Sequence, residues 1–341
     1  MKGELTFDVG GTTTEVLFRS PSEPSGSLRL FDETTRSLFG SGVARWVEIP
    51  AGEPAKCWKS VESVLKRCAD LGLGRDDSII GVGGGVVCDV ASFAASLYMR
   101  GCGLVLVPTT LLAMVDASLG GKTGIDFMGF KNLVGTYYPA SRIYIDIGAL
   151  SSLPEREYHS GLAEVIKTAI IGDAELFSLL EQAVPAVQAR NPTVVEEMIR
   201  RCLAVKGGIV EKDPREAGLR AVLNLGHTFG HALESATAFS GWTHGEAVAW
   251  GMGKALALGL RLGLTEAGFP DRVLTLLARY GFRLEADAGY DDLAPAFERD
   301  KKKRGGKVRF VIARRMCDVV MQEVPVSELA MVLRKEERRV I

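Results

Sequence analysis

Short, nearly unbroken apolar runs closed by glycine turns dominate the first part of the chain. Ile79-Ile-Gly-Val82 and Leu104-Val-Leu-Val107 predict strands buried on both faces, as in a parallel sheet. A helical pattern follows each, from Val86 to Met99 and from Leu111 onward, which is the alternation of β-α-β units. Beyond Asp146 the spacing of apolar positions predicts helices over 161–171, 193–210, 221–238, 246–262 and 271–280. Gly305-Gly306 ahead of Val308-Arg-Phe-Val-Ile312 predicts a short hairpin. The pattern is that of an α/β protein, with a parallel-sheet domain over 1–150, a mainly helical domain over 151–341, and a junction around 147–155.

Composition adds bounds to this picture. A chain of 341 residues has room for two domains, and 47% hydrophobic with 24% charged residues describes a globular protein. The formal net charge of −1 offers no general attraction for nucleic acid or an anionic membrane. The longest apolar stretch, Leu104 to Val115, is broken by Pro108-Thr-Thr110 and is too short to span a bilayer. No apolar leader run opens the chain, and the six cysteines form no CxxC pair, so they read as reduced thiols in a cytoplasmic protein.

Two glycine-rich turns are candidate phosphate loops. Gly81-Val-Gly83-Gly84-Gly85 lies between an expected strand and an expected helix, where backbone N–H groups and the helix dipole favour an anion. It departs from the usual dinucleotide fingerprint, because Val86 takes the third glycine position and Asp89 lies inside the following helix. Asp8-Val-Gly-Gly-Thr12-Thr-Thr14 would suit the phosphate loop of an actin-like sugar kinase. The second phosphate loop and adenosine motif of such a kinase are not found.

The densest chemistry is Asn224-Leu-Gly-His227-Thr-Phe-Gly-His231 with Thr243-His244-Gly-Glu246, which holds three of the four histidines. His227 and His231 are four apart and share a helix face, and His244 opens the next helix after the turn Phe239-Ser-Gly-Trp242. By spacing, both His227 and His231 are candidate metal ligands, with His244 or Glu246 as the third. Cations stand amid apolar or glycine-rich sequence at Arg100, Lys122, Lys131, Lys167, Lys206, Arg220 and Lys301. Such an array suits a small substrate carrying phosphate and carboxylate.

Together these pieces resemble the 3-dehydroquinate synthase family of sugar-phosphate cyclases. The matching segments are GEPAK at 52–56, GGGVVCDVASFAASLYMRG at 83–101, PTTLLAMVDASLGGKTGID at 108–126 and KNLVG at 131–135. They continue with LPEREYHSGLAEVIK at 153–167, RAVLNLGHTFGHALE at 220–234, HGEAV at 244–248 and DKK at 300–302. The resemblance implies a Rossmann-like N-terminal domain and a helical C-terminal domain that bind NAD and a divalent metal, zinc or cobalt. It implies conversion of 3-deoxy-D-arabino-heptulosonate 7-phosphate to 3-dehydroquinate and phosphate, a lyase step of aromatic amino acid biosynthesis.

Residue by residue, the resemblance implies metal ligation by Glu164, His227 and His244, which overrules the spacing argument and makes His231 a substrate contact. It implies that NAD lies on Gly84, Gly85, Val86 and Asp89, with Glu53, Lys56, Thr109, Thr110, Lys131 and Ser152 around it and Asp32 as a ribose contact. Substrate contacts would be Asp116, Lys122, Asn132, Lys167, Lys206, Arg220, Asn224, His231 and one of Lys301 or Lys302. Arg100 would reach the site of a neighbouring subunit in a homodimer. Cys88 stands where the family usually has glycine, and Phe127-Met-Gly-Phe130 replaces a segment that commonly contains proline. The rival readings are a 2-deoxy-scyllo-inosose or 2-epi-5-epi-valiolone synthase, an iron-dependent alcohol dehydrogenase or glycerol dehydrogenase, and a non-catalytic NAD-binding or regulatory protein that kept the fold.

Overall fold

The computed structural model describes residues 4–21, 26–238, 240–303 and 306–333, without the side chains of 299–303. Phe239, Arg304 and Gly305, and the side chains of Lys301 and Lys302, therefore lie outside the described residues. The chain forms two compact units, Met1–Tyr158 with Val195–Arg220, and His159–Val194 with Ala221–Ile341.

The first unit is built on a seven-stranded sheet. Its strands are β1 (Leu5–Val9), β2 (Thr12–Leu17), β3 (Leu28–Asp32), β4 (Trp46–Ile49), β5 (Ser78–Gly83), β6 (Gly103–Pro108) and β9 (Arg142–Tyr144), in the order β1-β2-β9-β6-β5-β3-β4. All neighbours are parallel except β1 and β2, whose antiparallel turn contains the N-terminal glycine pair. Asp8 Oδ1 accepts from Gly11 N at 2.7 Å there, so this candidate phosphate loop is a hairpin turn. The helices α1 (Glu33–Phe39), α2 (Trp58–Asp70) and α3 (Gly85–Leu97) connect the strands. Leu17, Phe31, Ile80, Val82, Val105, Val107 and Tyr144 make one continuous buried cluster on the sheet. The expected strands at 79–82 and 104–107 lie inside β5 and β6, whose near-continuous apolar runs are buried as a central parallel strand requires.

After β6 the helical pattern expected from Leu111 onward is present but short. The helical turn runs only to Ala117, and the chain then forms the antiparallel hairpin β7 (Lys122–Phe127) and β8 (Phe130–Tyr137). The physical reason is Gly120-Gly121, with φ of 118° and 70°, which a continuing helix cannot contain.

The second unit is mainly helical: α4 (Glu155–Gly172), α5 (Ala174–Gln182), α6 (Val184–Gln188), α8 (His227–Ala236), α9 (His244–Arg261), α10 (Phe269–Arg279), α11 (Tyr290–Lys303) and α12 (Val326–Leu333). The helix α7 (Pro192–Lys212) starts in this unit and ends in the first. The apolar run at 308–312 lies in a hairpin of β10 (Lys307–Arg315) and β11 (Asp318–Pro325), which turns at 316–317. A helix over 221–238 is corrected to a short turn, Leu219–Asn224, followed by α8. Gly226 breaks the run with φ 82°, a conformation that costs a side-chain-bearing residue roughly 1–2 kcal/mol. No helix among the described residues is long and apolar enough to cross a membrane.

Candidate active site

In the first unit, strand order changes direction between β3 and β5. The chain leaves β3 outward to β4 and leaves β5 the other way to β6, and ligands bind beside the carboxyl ends of strands at such a point. Gly84 caps α3 there in an extended conformation with no side-chain hydrogen bond, so α3 presents its first N–H groups without a capping side chain. A Cβ on Gly84 would stand 3.1 Å from Thr110 Cγ2, so the loop runs close against the end of β6. Thr109 N donates to Gly83 O at 2.9 Å, and Thr110 Oγ1 accepts from Ala113 N, which fixes this edge. Val86 is half-buried in the first turn of α3.

Charged groups surround that loop. Lys56 Nζ lies 2.5 Å from the Asp89 carboxylate, with both side chains largely buried, and Lys131 lies 3.7 Å from Glu53. Burial opposes the Lys56 ammonium, but Asp89 outweighs it and raises its pKa above the usual value. Burial also pushes Asp89 up, against the pull of Lys56; the close contact supports the charged pair. Asp32 is committed to a capping box with Thr35 at the start of α1. Ser152 is exposed and donates to Ala149 O at 3.1 Å. Cys88 is packed inside with Sγ 3.8 Å from Gly83 O, and burial raises its thiol pKa, so it is an inert side chain.

A second cluster in the same unit is cationic. Lys206, buried on α7, donates to Asp116 O at 2.5 Å and to the Asp116 carboxylate. Arg220 is buried and donates through Nη1 to Gly120 O and Pro214 O, each at 2.8 Å. Its backbone N–H, with those of Gly218 and Ala217, donates to Asp213, and these three bonds hold the Asp213 carboxyl below the usual range. Lys122 pairs with Glu216. Its side chain is about half exposed, yet burial of the ammonium end and repulsion from Arg220 and Lys206 lower its pKa to about 8. Asn132 is exposed on β8 with a left-handed φ of 54°, its N–H donating to Asp126. Arg100 is also exposed, and it follows Met99 in a second consecutive left-handed conformation.

In the second unit, α4, α8 and α9 bring Glu164, His227 and His244 together. His227 Nε2 is 3.8 Å and His244 Nε2 3.7 Å from Glu164 Oε1. Local sequence explains the approach. Thr243 caps α9 in a capping box with Glu246, which sets His244 as the first helical residue and uses the Glu246 carboxylate on Thr243 N at 2.6 Å. A Cβ on Gly245 would collide with the backbone of Ser160, one turn before Glu164, so glycine is what lets α9 start against α4. His231 faces His227 across 5.3 Å between ring centroids and stacks on His244 at 5.8 Å. Asn224 ends the turn before α8, and Lys167 faces the Glu164 carboxylate from one turn further along α4. Lys301 falls on α11, with its side chain outside the described residues.

Glu164 is 1% exposed, and neither carboxylate oxygen accepts a hydrogen bond, although one faces the Lys167 ammonium as an ion partner. A buried carboxylate oxygen left this way costs about 1–3 kcal/mol or more unless something positive meets it. Two imidazole nitrogens and a carboxylate oxygen, all within 4.8 Å of one another, form a group that could hold a divalent ion, and its donor types match those of catalytic zinc sites.

Residues 46–160 match the family described as 3-dehydroquinate synthase N-terminal, and residues 161–303 match 3-dehydroquinate synthase C-terminal. The chain belongs to the 3-dehydroquinate synthase family. A 3-dehydroquinate synthase of Acidithiobacillus ferrooxidans is 44% identical over 90% of this chain and 84% of its own length. Two solved structures share the fold. One is a 2-epi-5-epi-valiolone synthase from Streptomyces hygroscopicus subsp. jinggangensis 5008 with NAD+ and Zn2+ bound, at 31% identity and TM-score 0.85, covering 98% of this chain and 97% of that one. The other is a 2-deoxy-scyllo-inosose synthase complexed with carbaglucose-6-phosphate, NAD+ and Co2+, at 25% identity and TM-score 0.87, covering 97% and 99%.

One residue beside His244 escaped the sequence reading. Glu234, buried in the last turn of α8, places Oε1 3.5 Å from His244 Nδ1. Burial opposes a charged His244, but Glu234 and Glu164 outweigh it and raise its pKa. The available signal was spacing, since residues 227, 231 and 234 fall on one helix face.

Proposed function

We propose that this chain is a 3-dehydroquinate synthase, converting 3-deoxy-D-arabino-heptulosonate 7-phosphate to 3-dehydroquinate and inorganic phosphate. The observation that carries the reading is the buried Glu164 carboxylate with His227 and His244 turned to it, in a chain 44% identical to a protein of that name. Glu164, His227 and His244 would hold a divalent ion, and Gly84, Gly85 and the Lys56–Asp89 pair would seat NAD. When bound, the ion would supply a Lewis acid for a substrate hydroxyl and NAD would supply a reversible hydride acceptor.

This chain's own residues bind and orient. Lys206 and Arg220 grip the substrate carboxylate, held in place by Asp116 and by the Gly120 and Pro214 carbonyls. Lys122 and Asn132 grip the phosphate, with Arg100 reaching it across the subunit boundary of a homodimer, and the phosphate can then take up the proton lost in its own elimination. His231, Asn224 and one of Lys301 or Lys302 contact the sugar acid. The 2-deoxy-scyllo-inosose and 2-epi-5-epi-valiolone readings give the buried Lys206 and Arg220 no carboxylate to bind.

We also propose a cytoplasmic homodimer. The six unpaired cysteines suit a reducing compartment. Exposed Leu97 and Met99 beside Arg100, and Phe127, Met128 and Phe130 at the tip of the β7–β8 hairpin, offer apolar surface for a second copy.

The direct test is phosphate release from the heptulosonate phosphate by protein supplied with NAD and zinc, with the carbocyclic product identified. Activity should vanish on chelation and return with added ion. Net NADH formation without phosphate release would mean a dehydrogenase instead. A second expectation concerns pH. Lys122 is charged below its lowered pKa and neutral above it, so kcat/KM, which reports the free enzyme, should fall as pH rises through about 8. The groups that tune it are Glu216, Arg220, Lys206, Asp116 and Asp213. Lys122→Arg should move the fall to higher pH, because a guanidinium does not deprotonate in this range. The same falling limb in both proteins would mean that a group other than Lys122 sets it.

A further inference from the structure

The two imidazoles turned toward Glu164 are each engaged at their other nitrogen. His227 Nε2 faces Glu164, and its Nδ1 lies 3.3 Å from the Leu225 carbonyl oxygen. His244 Nε2 faces Glu164 as well, and its Nδ1 lies 3.5 Å from Glu234 Oε1. A carbonyl oxygen can only accept, and an ionised carboxylate can only accept. Each Nδ1 beside such a group carries the hydrogen, which leaves each Nε2 lone pair for an ion seated between the two rings and Glu164. We propose that Glu234 is a positioning residue, which holds the proton on His244 Nδ1 and commits His244 Nε2 to the ion shared with Glu164 and His227.

The inference rests on the proposed reading of the Glu164 group as a metal site and adds to it. Glu234 is 4% exposed and reaches His244 from a different helix, so it fixes both the ring tautomer and the ring direction. A carboxylate behind a ligating imidazole also makes it a more basic donor, and loss of such a partner typically weakens metal binding 10- to 100-fold. Glu234 acts through His244, so its effect is read as metal affinity, separately from turnover.

The same region contains a competing arrangement, because His231, Glu234 and His244 also bring ligand atoms within 4.8 Å of one another. In that arrangement Glu234 would itself bind an ion, and His244 would bridge two.

The test uses the full-length chain, wild type and Glu234→Gln, stripped of metal and titrated with zinc against a chromophoric chelator. Glu234→Gln keeps the shape and removes the charge. Urea unfolding of both stripped proteins separates a folding defect from a metal-binding one. The expected result is one ion per chain in both, zinc affinity about 10- to 100-fold weaker in Glu234→Gln, and similar unfolding of the stripped proteins. With Co(II) in place of zinc, the visible absorption band should shift in the variant. Equal zinc affinity with an unchanged Co(II) band would overturn the proposal. So would two ions per wild-type chain falling to one in the variant, which would make Glu234 a ligand. A wild type that takes up no zinc overturns this inference together with the metal reading. A wild type that binds zinc but leaves the heptulosonate phosphate unchanged removes the proposed function, and the Glu234 comparison still stands or falls on affinity.

Discussion

Glu164→Ala should abolish turnover and destabilise the chain by about 3–5 kcal/mol even in the presence of a chelator. The two losses have separate origins. Turnover fails because the carboxylate member of the donor set is gone, and two imidazoles alone hold a divalent ion poorly. Stability falls because Lys167, 2% exposed, loses the counter-charge that faces it. Breaking a buried pair from one side is far more damaging than replacing both members with apolar groups. Glu164→Ala combined with Lys167→Met should therefore recover most of the lost stability in chelator while remaining unable to bind zinc. Urea unfolding gives the first quantity and chelator competition the second. With zinc added, only the wild type should gain stability, by an amount set by ion concentration over dissociation constant. If the double substitution were as unstable as Glu164→Ala alone, the pair would not be the source of the stability loss. If Glu164→Ala kept zinc at wild-type affinity, the assignment of the metal group would be wrong.

What could be read from the sequence, and what could not, follows the range of the interactions concerned. Apolar runs at 79–82 and 104–107 predict β5 and β6, because burial on both faces leaves a direct signature in composition. The histidine cluster was also plain, being local to 227–244. Spacing alone, however, proposed His231 beside His227 and weighed Glu246 with His244. The fold instead turns Glu164 to His227 and His244, engages Glu246 in the cap of α9, and stacks His231 on His244. Glu164 is far from the histidines in sequence, and only packing of α4 against the start of α9, allowed by Gly245, brings it near. Periodicity likewise cannot see a single left-handed glycine, so Gly226 and the Gly120-Gly121 pair cut two expected helices short. Glu234 carries no local signal of its role, because only the fold places it behind His244.

Lys206→Met should lower kcat/KM by roughly 10²- to 10³-fold, or about 3–4 kcal/mol of transition-state binding. Lys206 is 6% exposed, and its ammonium is directed at the backbone oxygen and carboxylate of Asp116. Desolvated in this way, it gives a charge-assisted bond stronger than a surface lysine could offer. Methionine keeps much of the apolar stem, so the loss reports the charge more than the packing. The proposed partner is the substrate carboxylate, and that makes the prediction sharper than a simple loss. An analogue of the heptulosonate phosphate lacking the carboxylate should bind wild type and Lys206→Met about equally, because the interaction removed from the protein is already missing from the ligand. This is a double-mutant cycle with one change on each side. Lys206→Arg should not restore activity, since a planar fork cannot replace a compact ammonium wedged against Asp116. A Lys206→Met enzyme that weakened both ligands equally would make Lys206 a support for Asp116 instead. Recognition of the proposed substrate carboxylate would then rest on Arg220, whose guanidinium is held by the Gly120 and Pro214 carbonyls.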